Sequence, residues 1–204
     1  MTQGQTLLEI AILAAGAVGR DLAPPNTSAV KTAVQKITNV VKVRRAPPPA
    51  PTGFFTMYDA VTVANIPADA HAIAGYTDGL YANVQEIRRR FGGRMVFTIS
   101  VSSTGFGDCL DVENGDATPA QAAVWVRERL RAGQWRPCIY ASRSNMPAVW
   151  AELQHAGVQR DQVRLWVADW TGEPHIPAGY DACQYHGGTT VPYDISLCNP
   201  GFLR

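Results

Sequence analysis

Apolar and polar positions change period along the chain, and the changes divide it into three parts. Residues 7 to 19, LLEIAILAAGAVG, form an apolar run. After Pro24 and Pro25, Val30, Val34, Ile37 and Val41 recur at helical spacing, behind Asn26, Thr27 or Ser28 as N-cap. Residues 1–43 are therefore expected to be a helical segment that docks or self-associates. RRAPPPAPTG, residues 44–53, disfavours helix and stiffens the chain into an extended spacer. Beyond it the period shortens to two in eight short runs: FFTMYDA, HAIAGYT, RMVFTISVS, CLDVE, RPCIYAS, VRLWVADW, DACQYH and PYDIS. Helical patterns separate only some of them: LYANVQEIRRRF, TPAQAAVWVRERLRAG with Thr118 as N-cap and Pro119 at the first turn, and NMPAVWAELQHAG.

Strands alternating with helices indicate parallel βαβ units. Eight of them predict an α/β fold, a compact and irregular (β/α)8 TIM-like barrel over residues 54–204, with the helical segment ahead of it. A regular barrel of this kind takes about 250 residues, so crossovers after the third, sixth and seventh strands are expected to be loops. An open doubly wound sheet is the alternative, but no GxGxxG turn supports a dinucleotide site in it.

Composition narrows the chemistry. With 204 residues, 46% of them hydrophobic, the chain can bury a sizeable core. A net charge of +1 supplies no field for nucleic acid. The N-terminal apolar run lacks a basic n-region, contains Glu9, and falls short of the roughly 20 residues of a membrane span. No nucleic acid and no membrane span are expected, and the compartment and export route stay undetermined. The cysteines, Cys109, Cys138, Cys183 and Cys198, form no CxxC pair. Cys183 and His186 lack a second ligand pair, so neither a metal nor a cofactor is expected. Cys109–Cys138 and Cys183–Cys198 are both open as disulfides, and Cys109 shares the phase of Asp111, which places it in the barrel interior.

Acidic residues are sparse yet gather at strand ends. Asp111 and Glu113 lie two apart and point to one face, about 7 Å from each other. Asp59 and Asp194 belong to the last residues of the first and eighth strands, which are neighbours in a closed barrel. Four carboxyls at one mouth repel one another unless function compensates. Asp116 lies in a turn before a helix and is expected to be structural.

In the order YDA, LDVE, CIYAS, LWVADW, CQYHGG and YDIS, residues 54–204 resemble the glycoside hydrolase family 25 muramidases, and still more the shorter glycoside-hydrolase-like domains of actinobacteria and their phages. The resemblance implies cleavage of the β-1,4 bond between N-acetylmuramic acid and N-acetylglucosamine in peptidoglycan. It makes Glu113 the general acid and Asp111 its charge-stabilising partner, with Asp59 and Asp194 completing the cluster. Such chemistry needs one carboxyl protonated and another ionised, and whether the product is retained or inverted stays open.

Tyr58, Tyr140, Trp166, Trp170 and Tyr185 are candidate sugar-stacking rings, and Asp169 and Gln184 candidate partners of sugar hydroxyls. The domain is shorter than typical family members. The alternative is a catalytically silent barrel that binds glycan or serves as a structural part of a phage or injection particle, with residues 1–43 as its tether.

Overall fold

The computed structural model describes residues 52–188 and 190–204. The expectations for residues 1–43 and for most of the proline spacer lie outside the described residues. Each of the eight period-two runs forms a strand: β1 (Phe55–Asp59), β2 (Ala72–Tyr76), β3 (Met95–Ser100), β4 (Cys109–Asp111), β5 (Cys138–Ser142), β6 (Arg164–Ala168), β7 (Ala182–His186) and β8 (Asp194–Cys198). Together they close into one barrel in sequence order. Three helices lie between them: α1 (Val84–Arg90) after β2, α2 (Pro119–Arg131) after β4 and α3 (Met146–His155) after β5. Connections after β3, β6 and β7 carry no α-helix, and that after β1 holds only a 3-10 turn at Val63–Asn65.

The barrel is mixed rather than all parallel. Pairs from β1 through β7 run parallel, whereas β8 runs antiparallel to both β7 and β1. A parallel neighbour usually needs a crossover of a dozen residues or so, and the short 187–193 link instead folds back as a hairpin. Asp194 therefore opens β8 instead of ending it. The reversal leaves it at the expected mouth, facing Asp59 in register.

Strand alternation sorts the apolar residues into layers. Inside the barrel, small residues such as Ala72, Ala74, Cys109, Cys138, Ala182 and Cys198 leave room for Met57, Phe97, Trp166 and Phe202. Side chains fill this narrow barrel, as the strand number requires. Outside it, Leu110, Ile139, Leu165, Val167 and Tyr185 pack beneath Trp125 and Val126 of α2 and Val149 and Leu153 of α3. Thr118 caps α2: its hydroxyl accepts from the Gln121 N–H, while the Gln121 side chain accepts from the Thr118 N–H.

A buried arginine closes the end opposite the acids. Arg164, 3% exposed, lies near the rings of Phe97 and Phe202 and donates to the carbonyls of Arg136 (2.6 Å) and Phe202. Beside it, Asp181 accepts from Arg136 (2.8 Å), Arg160 (2.6 Å) and the Leu165 N–H (2.9 Å).

All four cysteines are free thiols. Cys109 and Cys138 are cross-strand neighbours within the interior cluster. Cys183 belongs to the outer layer and Cys198 to the inner one, so the sheet itself separates that pair.

Candidate active site

Six strands and the loops after β4, β6 and β7 build the mouth. Asp59 of β1 and Asp111 of β4 point inward and are 5% and 3% exposed. Glu113, just past β4, and Asp194, at the start of β8, are half-buried. Tyr76 ends β2 in the inward phase of Ala72 and Ala74, and its hydroxyl donates to Asp111 Oδ2 at 3.3 Å. Gln184 of β7 lies on the opposite wall. Its Oε1 accepts from the Tyr140 hydroxyl (2.8 Å) and the Trp170 indole N–H (2.9 Å), and its Nε2 faces Asp59 Oδ2 at 3.5 Å.

These surroundings disfavour charge on every acid of the quartet. Burial, then Glu113 and Asp116, push the Asp111 carboxyl up to about 8 against the Tyr76 hydrogen bond. Burial and Asp194 raise Asp59 well above the usual carboxylate range, opposed by Gln184. Glu113 is raised by burial, Asp116 and Asp194. Asp194 is raised by burial, but the Gly188 N–H, 3.0 Å from Oδ1, and nearby His186 favour its charged form. Asp111 Oδ1 is buried without a hydrogen-bond partner. The quartet therefore divides into a recessed pair, Asp59 and Asp111, and a reachable pair, Glu113 and Asp194.

No known protein family, characterised protein or solved structure matches the chain. The geometry of the mouth thus carries the functional argument.

Several candidate residues lie elsewhere than the sequence suggests. Tyr58 points outward against Tyr193, with ring centroids 5.8 Å apart, and Tyr185 is buried in the outer layer. Neither faces the mouth, because each is one position away from an inward residue, Asp59 and Gln184 respectively. Trp166 is inward but 1% exposed, its indole donating to Ser196 Oγ at 3.0 Å beneath the Tyr140 ring. Asp169 lies on the outer side, bound to Arg143 and to His175 Nε2 (3.1 Å), and these partners hold its carboxyl below the usual range.

That outer cluster includes Cys183, whose Sγ is 3.9 Å from the same His175 Nε2. One imidazole nitrogen cannot donate to Asp169 and act as base for the thiol at once, and burial pushes Cys183 up to about 12. No nucleophile arises there. Among the described residues, no group of three or more His, Cys, Asp or Glu side chains could hold a metal ion.

Trp170 alone among the candidate rings combines exposure, 58%, with a tie to the acids. It also packs on Gly188, where an added Cβ would come within 2.7 Å of the indole and where φ is +65°. Tyr76 is the residue that sequence reasoning missed. Asp116 is exposed, its carboxyl is raised by burial and Asp78, and its charge in turn raises Glu113 and Asp111, while Thr118 caps α2. A cavity of about 310 Å³ lined by Met146, Trp150, Leu165 and Tyr180 opens on the outer layer, away from these acids.

Proposed function

We propose that residues 54–204 form a TIM-like glycosidase barrel that cleaves β-1,4 bonds of peptidoglycan in the manner of a muramidase. The observation that carries this reading is the convergence of Asp59, Asp111, Glu113 and Asp194 at one mouth beneath an exposed Trp170, with proton affinities raised by burial and, for Asp59, Asp111 and Glu113, by neighbouring acids. An oxocarbenium-like transition state needs a carboxylic acid at the leaving oxygen and a carboxylate near the sugar ring. Glu113 suits the first role: it is half-buried, reachable and raised. The surroundings of Asp111 suit a proton-holding group hydrogen-bonded to Tyr76, and those of Asp194, with its backbone donor, suit the charged partner. Trp170 would take a pyranose face on its open side.

A catalytically silent glycan-binding or structural barrel, as part of a phage or injection particle, is favoured by one observation, the depth of Asp59 and Asp111. Release of reducing sugar from peptidoglycan by the full chain, beside Glu113→Gln, separates the two. Release abolished by the substitution supports the enzyme. Equal, negligible release from both supports the silent barrel.

A further inference from the structure

Gln184 touches three parts of the mouth at once, and donor chemistry fixes which way its amide faces. The Trp170 indole N–H can only donate, so the atom 2.9 Å from it is the amide oxygen. The Tyr140 hydroxyl fills the second acceptor position of that oxygen at 2.8 Å. The amide nitrogen is thereby turned toward Asp59 Oδ2, 3.5 Å away, with the positive end of its dipole on the carboxyl. Gln184 is 3% exposed, so bulk water does not compete for these contacts. With both acceptor positions occupied, it offers a ligand no oxygen.

We propose that Gln184 is a positioning residue, tying the rim indole of Trp170 to Asp59 and presenting that carboxyl with a donor of fixed direction. Its use in catalysis rests on the glycosidase reading, whereas the tie itself does not. Titratable groups around Asp59 come from every side of the mouth: Asp194 on β8, Tyr76 on β2, Asp111 on β4 and Tyr140 on β5. All are acids or phenols, so none brings a positive charge to Asp59, and the Gln184 amide supplies a favourable dipole against the repulsion from Asp194.

The test is carbon-13 carboxyl NMR of the aspartate-labelled full chain, with Asp59 assigned through Asp59→Asn and the Trp170 indole proton through Trp170→Phe. Gln184→Met, which removes the amide without adding charge, is expected to raise the Asp59 titration midpoint and to move the Trp170 indole resonance upfield. Gln184→Glu keeps oxygens for Tyr140 and Trp170 but loses the donor, so it is expected to raise the Asp59 midpoint while leaving the indole resonance downfield. An Asp59 midpoint unchanged in either variant, or an indole resonance unmoved in Gln184→Met, overturns the proposal. Neither readout uses turnover, so a wild-type chain that releases no sugar contradicts the glycosidase reading and leaves this test intact.

Discussion

Asp59 and Asp194 face each other across the antiparallel seam that closes the barrel, with their side chains directed into the same mouth. Two carboxyls so placed cannot both ionise freely. Asp194 has the Gly188 N–H and solvent, while Asp59 has burial, so negative charge settles on Asp194 and the proton on Asp59. Replacing Asp194 by Asn is expected to lower the Asp59 titration midpoint, because the charge on Asp194 is what Asp59 must ionise against. Carboxyl NMR of the variant checks it, and an unmoved midpoint would mean that the two do not interact.

Acid burial also sets a pH dependence of stability. Asp111 titrates at about 8 in the folded chain and near 3.9 when unfolded, so between these values the folded state holds the extra proton. Its contribution is fully favourable below about pH 4 and is lost as pH rises towards 8. Asp111→Asn is expected to flatten that fall and to exceed wild type by on the order of 5 kcal/mol at pH 9. Urea unfolding at several pH values measures both slopes.

Trp170 and Trp166 should separate by what they damage. Trp170 is 58% exposed, so Trp170→Ala is expected to leave the unfolding midpoint nearly unchanged while weakening binding of N-acetylglucosamine oligomers by about 1 kcal/mol. Trp166 fills the interior, and Trp166→Ala is expected to cost about 3–5 kcal/mol of stability. Calorimetric binding and chemical denaturation on both variants check the contrast.

Asp181 joins two arginines and the β6 backbone at the far end of the barrel. Asp181→Ala leaves both guanidinium groups without their carboxylate and is expected to cost about 3–5 kcal/mol, with carboxyl titrations at the mouth unchanged. Denaturation together with carboxyl NMR would show whether the two ends are independent.

Strand positions were legible because each inward residue here alternates with an outer-layer one, and barrel closure followed from having eight such runs. The direction of β8 was not inferred, although the short 187–193 link is too brief for the usual crossover. The acid positions survived this error, since an antiparallel strand presents its first residue where a parallel one presents its last. Phase separates inward from outward but says nothing of depth. Trp166 therefore had a face consistent with the mouth and the wrong accessibility, while Tyr58, Tyr185 and Asp169 could have been excluded by their odd offset from Asp59, Gln184 and Ala168. Tyr76 was legible by the same parity, in step with Ala72 and Ala74. The Gln184 contacts were not legible, because they join β1, β5, β7 and a loop far apart in sequence.

The most direct measurement of the central claim is the identity of the new reducing ends after the full chain acts on peptidoglycan, read by borohydride reduction and acid hydrolysis. Muramitol that appears with wild type and disappears with Glu113→Gln is the predicted result. Glucosaminitol in its place, or no reduced sugar above the untreated wall, would contradict it.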